Sequence, residues 1–175
     1  MIETNHMNVQ IRKARIEDAE AILHIQREVI AENDYFISVT EEFQKTEEEQ
    51  RGWIQEISEK SRNTLLVAEI NNKVVGWLVF LSQDRKRLMH TGSFGVMIHK
   101  DYRGKGVGKK LIEELIQWAE QNPKIEKICL GVFHTNQRAI ALYKQLGFIE
   151  EGRKIREFKF DENEYVDDIL MYRLV

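Results

Sequence analysis

Three glycines at alternate positions, Gly104, Gly106 and Gly108, lie between an extended apolar run, His90 to Ile98, and a helix-patterned one that starts at Val107. No other segment constrains the chain as tightly. Without Cβ atoms, successive backbone N–H groups can turn into one concavity, and beside a helix N-terminus they form an anion site of phosphate size. Arg103, Lys105 and Lys109 put positive charge next to it. Two other nucleotide loops do not fit. A P-loop needs four residues between its glycines and then Lys-Ser/Thr, whereas Lys109 is followed by Lys110. The dinucleotide fingerprint needs a third glycine where Lys109 stands. The structural alternative is a strand-to-helix turn that binds nothing.

The surrounding composition is that of a globular chain, 42% apolar and 31% charged over 175 residues, and residues 9–175 read as a single domain. No apolar run reaches the roughly 20 residues of a membrane span. Met1 to His6 has no basic region followed by an apolar stretch, so no secretory signal is expected. The one cysteine, Cys129, cannot form an internal disulfide, in line with a cytoplasmic location. Charge is unevenly spread: thirteen acidic against four basic residues from Glu17 to Lys60, and eight basic against one acidic from Arg85 to Lys110. These windows fit two solvated faces, or a basic centre for a polyphosphate or nucleic acid. No basic stripe interleaved with aromatics appears, so a nucleic-acid partner is not expected.

Periodicity predicts the order β-α-α-β-β-β-α-β-α-β-β. Val9–Ala14 reads as a strand, and Ile16, Ala19, Leu23, Gln26 and Ile30 as one helical face whose start is poorly capped by Ala14 or Arg15. Thr46 and Glu49 make a capping box for a second helix. Thr64–Ile70 and Lys73–Phe80 flank Asn71-Asn72, a two-residue hairpin turn. His90–Ile98 and Ile125–Phe133 are strands, with a helix from Val107 to before Pro123 between them. A short helix carrying Ala139, Leu142, Tyr143 and Leu146 stops at Gly147. Phe148–Phe160 and Tyr165–Leu174 form a last hairpin across Asp161–Glu164. The fold class is α+β, a mixed sheet flanked by helices.

Arg103-x-x-Gly106-x-Gly108 resembles the Arg/Gln-x-x-Gly-x-Gly/Ala motif of the GNAT superfamily of acyl-CoA N-acyltransferases, and Asn136 to Phe148 resembles that superfamily's second cofactor motif. The order of elements is similar from about residue 9 onward, which implies a mostly antiparallel central sheet. The segment from Phe148 to Met171 is similar to the tails of spermidine and ribosomal-protein N-acetyltransferases. The resemblance implies transfer of an acetyl group from acetyl-CoA to a primary amine by direct attack in a ternary complex, with a small-molecule amine favoured. Its alternatives are a protein N-terminal or lysine acetyltransferase and a non-catalytic acyl-CoA sensor. A homodimer stays open.

By the same resemblance, backbone amides of Arg103, Gly104, Lys105, Gly106, Val107 and Gly108, with Lys109 beside them, hold the coenzyme A pyrophosphate. Val96, Met97 and Ile98 pair with the pantetheine arm in a gap where the sheet splays open, and one of their N–H groups faces the oxyanion. Asn136 and Ala139 hold the cofactor, and Tyr143 touches it and protonates the leaving thiolate. Two of these residues have plainer readings, Asn136 as a helix N-cap and Tyr143 as a core aromatic. The strand His90–Ile98 carries no carboxylate, so the general base is unassigned, with Glu69 and His90 as candidates through water. His134 reads as a loop residue, Cys129 as a buried core thiol, and Trp53, Trp77 and Trp118 as packing. No Cys/His/Asp/Glu cluster shows metal-ligand spacing. The acidic window, with Glu32, Asp34, Glu41 and Glu42 flanking Tyr35 and Phe36, is expected to favour a cationic acceptor.

Overall fold

The computed structural model describes residues 8–175, so the reading of Met1 to His6 lies outside it. A seven-stranded sheet carries the elements β1 (Gln10–Lys13), α1 (Ala19–Ala31), α2 (Glu47–Glu59), β2 (Thr64–Ile70), β3 (Lys73–Ser82), β4 (Thr91–Ile98), α3 (Val107–Glu120), β5 (Lys127–Phe133), α4 (Gln137–Gln145), β6 (Ile149–Asp161) and β7 (Glu164–Leu174). The strand order is β1-β2-β3-β4-β5-β7-β6, antiparallel throughout except for β4 against β5. This is the expected α+β architecture.

Helices cover both faces. Ile22, Ile25 and Val29 of α1 and Ile54 and Ile57 of α2 pack on Leu65, Val67 and Trp77. On the opposite face Leu111, Ile112 and Leu115 of α3 and Ile140 and Tyr143 of α4 pack on Leu78, Phe80, Phe94 and Leu130. The tryptophans are packing residues, Trp53 edge-on to Trp77 at 6.0 Å and Trp118 to Phe80 at 5.5 Å.

Local chemistry explains where the elements start and stop. Thr46 Oγ1 accepts from Glu49 N at 3.2 Å while Thr46 N donates to Glu49 Oε2 at 2.7 Å, so two end groups of α2 satisfy each other. Asn71 and Asn72 have φ of 50° and 61°, the left-handed pair a tight hairpin requires. Gly147, at φ 85°, closes α4 with Phe148 N bonded to Tyr143 O and Gly147 N to Lys144 O, the paired bonds of a Schellman ending.

Several boundaries differ from expectation, three of them for a visible local reason. Ile16–Asp18 is a 3-10 turn, and α1 begins at Ala19. Asp18 stands at the N-cap position of α1 without a side-chain bond to the helix, because its carboxylate is turned back into the 3-10 turn, accepting from Arg15 N at 2.7 Å and from Arg12 at 2.8 Å. The last hairpin turns on Glu162-Asn163, because Asp161 still pairs with Glu164. Strand β3 runs on to Ser82, whose amide donates to Asn63 Oδ1 at 2.9 Å.

Candidate active site

Strand β4 pairs with β5 only through Thr91–Lys127, Gly92–Ile128 and Ser93–Cys129, then the two separate. Strand β5 meanwhile stays paired with β7 from Lys127 to Phe133. The open half of β4 therefore has one free backbone edge. Which groups line it follows from the ladder. Thr91 O accepts from Gln83 N, and His99 N donates to Val75 O, so odd-numbered residues of β4 bond to β3. Phe94, Val96 and Ile98 turn their N–H and C=O toward the gap, whereas Met97 bonds back toward Trp77. On β5 the bond from His134 N to Asp167 O assigns even-numbered residues to β7 in the same way, leaving Gly131 and Phe133 facing the gap. Gly92 closes the paired end by close approach: a Cβ there would lie 2.3 Å from Phe80 Cζ.

A 3-10 turn, Lys100–Tyr102, leads from β4 into the glycine loop. Gly104 and Gly106 take φ of 74° and 79°, and Gly106 is the left-handed N-cap of α3. Nothing lies within 4 Å of a Cβ built on Gly106, so the concavity over the helix end is open. The first return bond within α3 runs from Lys110 N to Gly106 O, which leaves the amides of Val107, Gly108 and Lys109 free of helical partners. Buried Val107 anchors the turn.

The basic residues divide. Lys109 stands 3.9 Å from Glu113, and Lys105 donates to Asp101 O at 2.8 Å. Arg103 is instead a brace: it forks onto Glu32 at 2.6 and 2.8 Å and donates through Nε to Ile98 O at 3.0 Å. That pairing holds the Glu32 carboxyl below the usual carboxylate range. A residue missed in the sequence, Arg138 on α4, stands beside the loop, its guanidinium 3.0 Å from a Cβ position on Gly104.

Tyr143 lies with its ring edge-on to Phe94 at 5.8 Å and to Phe148 at 6.1 Å, under the open half of β4. Burial pushes its hydroxyl pKa up to about 12. Among the described residues that hydroxyl has no protein partner, and it is not one of the sealed, unpartnered polar atoms, so it reaches open space. Asn136 caps α4 by accepting from Ala139 N at 3.2 Å, the plainer of its two readings, and the partly buried Ala139 packs against the core beside it.

The sheet face under α1 and α2 is left uncovered around the gap, where Ser93, Gly95 and Gly131 are exposed. Asp168 of β7 lies on this face, its Oδ1 2.8 Å from a Cβ position on Gly131. Burial raises the Asp168 carboxyl above its usual range. The earlier base candidates are elsewhere. Glu69 is held by Arg12 at 2.8 Å, and the carbonyl of His90 bonds Glu126 and Lys127 at the closed end of the gap. His134 accepts from Asp167 N through Nδ1 at 2.9 Å. Burial raises the Cys129 thiol, which opposes thiolate chemistry. His24 and Glu28, one turn apart on α1, and His99, far away in sequence, bring one ligand atom each to within 4.8 Å of one another.

The Acetyltransferase (GNAT) family profile matches residues 28–148, from the last turn of α1 to the end of the second motif. The chain belongs to the GNAT family. It is thus an acyl-CoA-dependent N-acetyltransferase, and acetyl-CoA is the cosubstrate. The L-amino acid N-acetyltransferase AaaT of Escherichia coli is 30% identical over 95% of this chain and 98% of its own length. A spermidine N(1)-acetyltransferase of Vibrio cholerae is 26% identical over 67% of this chain and 66% of its own. In structure, a GNAT acetyltransferase of Streptococcus pneumoniae superimposes with a TM-score of 0.91 at 29% identity, covering 96% of this chain and 100% of that one. The splayed strands and open glycine loop of this GNAT protein are thus features of a fold shared along its length. Among its described residues no helix is long and apolar enough to cross a membrane.

Proposed function

We propose that residues 9–175 form one acetyltransferase domain that acetylates a small primary amine, with the two substrates meeting across the gap between β4 and β5. The observation that supports this most directly is the splay itself: the backbone of Val96 and the N–H of Ile98 left without a strand partner, the Ile98 carbonyl being held by Arg103, with Tyr143 on one face of the sheet and exposed Ser93, Gly95 and Gly131 on the other. Amides of the Gly104–Lys109 loop hold the pyrophosphate, with Lys105, Lys109 and Arg138 supplying charge, and Val96 and Ile98 pair with the pantetheine like an added strand. Met97 contributes its side chain rather than its backbone, since its N–H and C=O serve β3.

The amine nitrogen attacks the thioester carbonyl, the C–N bond forms and the C–S bond breaks. The N–H of Val96 or Ile98 faces the oxyanion. Asp168 takes the proton the amine loses, directly or through water, and Tyr143 gives its proton to the departing sulfur. Asp168 suits the role because its raised pKa makes it a better proton acceptor than a solvated aspartate.

The named activities of two relatives, on L-amino acids and on spermidine, support a small amine and suggest the first panel to assay. Thiol release from acetyl-CoA should be followed with single amino acids, polyamines and N-terminal peptides. Saturable turnover of a small amine with no turnover of peptides is expected. Faster turnover of peptides would replace this reading with protein acetylation, and no thiol release with any amine would favour a sensor.

A further inference from the structure

We propose that His24, Glu28 and His99 form a three-ligand site for a divalent transition-metal ion, zinc by ligand chemistry, that clamps α1 to the end of β4. His24 and Glu28 are one turn apart on α1, with Nε2 and Oε1 at 3.5 Å. His99, the first residue after β4, reaches the other carboxylate oxygen, with Nε2 and Oε2 at 2.9 Å. Ligand atoms about 2.1 Å from a shared ion stand roughly 3.0–3.4 Å apart between right-angled and tetrahedral geometry, so little movement would admit an ion. Glu28 Oε2 points the same way. It is sealed from solvent and, despite its nearness to His99, lacks an aligned hydrogen bond, a buried acceptor with a place for a further partner.

Two imidazoles and one carboxylate suit zinc with water in a fourth position, whereas magnesium and calcium prefer all-oxygen shells. The other nitrogen of His99 also has partners. His99 Nδ1 now accepts weakly from Asp101 N at 3.3 Å, and the Asp101 carboxylate stands 3.7 Å away. With an ion on Nε2, Nδ1 carries the proton and that carboxylate is its acceptor. The site repeats one turn earlier the brace between Glu32 and Arg103. Both brackets link α1 to the segment that leads into the glycine loop, through residues four apart on each side.

The test uses full-length, tag-free protein stripped with chelator and titrated with ZnCl2 or CoCl2. One equivalent should bind, Co2+ should show the visible bands of a four- or five-coordinate site, and Zn2+ at 100 times its Kd should raise Tm by about 5–10 °C. His24→Ala, Glu28→Gln and His99→Ala should each weaken binding at least tenfold, while Cys129→Ser leaves it unchanged. His24 has a side chain 61% exposed on the helix surface, so His24→Ala keeps the fold even if His99→Ala does not. Absence of stoichiometric binding, or equal affinity in His24→Ala and the parent, overturns the proposal.

Discussion

Replacing Tyr143 by Phe separates packing from chemistry. The ring is 8% exposed and edge-on to Phe94 and Phe148, and Phe preserves both contacts. The hydroxyl makes no hydrogen bond among the described residues, so its removal orphans no partner and stability should change by less than about 0.5 kcal/mol. The catalytic effect follows from acidity. With a pKa near 12 the phenol is fully protonated through the assay range, ready to donate at any pH below about 11. A thiol titrates near 8.5, so an acid of this strength delivers its proton uphill. Its contribution then belongs at the low end of general-acid effects, about 10²-fold or 2.7 kcal/mol in barrier. Thiol-release kinetics from pH 7 to 10, acetyl-CoA affinity and a melting curve on Tyr143→Phe form the assay. We expect kcat to fall about 10²-fold at every pH with affinity and Tm unchanged. Turnover within threefold of the parent would refute the role, as would a loss of acetyl-CoA affinity as large as the loss of rate.

Three further outcomes follow from the site. Gly106→Val should cost at least about 1–2 kcal/mol for a left-handed, branched residue, while acetyl-CoA affinity by calorimetry falls more than tenfold, because the new side chain fills the open cradle; a folded variant with unchanged affinity would remove the phosphate site from this loop. Asp168 must be ionised to accept a proton, so activity should fall as pH drops through its raised pKa, above the usual aspartate range. In Asp168→Asn that acid limb of the kcat/KM profile should disappear together with about 10² of rate, and an intact limb would place the base elsewhere. Neutralising Glu41 and Glu42 together should raise KM for a polyamine and leave acetyl-CoA affinity alone, an effect that salt should mimic for exposed charges; equal KM values before and after would mean these carboxylates do not select the acceptor.

Much of the fold was legible because its signals are local. The capping box at Thr46, the Asn71-Asn72 turn and the stop at Gly147 each involve residues within a few positions, and all act as their chemistry dictates. The glycine loop was legible for the same reason, since left-handed φ and an open helix end need only consecutive residues. The start of α1 was not. It is set by the 3-10 turn that Asp18 closes onto Arg15 N and Arg12 of β1, a partnership that periodicity does not record. Burial alone would raise the Asp18 carboxyl, but Arg12 and the Arg15 amide outweigh it and hold it low.

The site residues missed in the sequence share one property, that strand pairing or helix docking brings them in from a distance. Asp168 meets Gly131 only through the β5–β7 register, Arg138 meets Gly104 only once α4 is docked, and His99 meets His24 across 75 positions. Charge counting does not record pairing, whether distant or local. Of the thirteen carboxylates from Glu17 to Lys60, Asp18 is tied to Arg12, Glu32 to Arg103, Glu47 to Arg51, Glu56 to Lys60, and Glu49 to the Thr46 cap. A paired carboxylate projects little field, so the attraction for a cationic acceptor rests on the unpaired remainder. Of the four carboxylates singled out around Tyr35 and Phe36, Glu32 is spent bracing Arg103, and Glu42 is partly occupied by a 3.4 Å bond from Val39 N. Under the proposed reading, selection by charge narrows to Asp34, Glu41 and Glu42, on an exposed connection where screening is strongest. Shape at the uncovered floor of Ser93, Gly95 and Gly131 is left to decide among amines of equal charge.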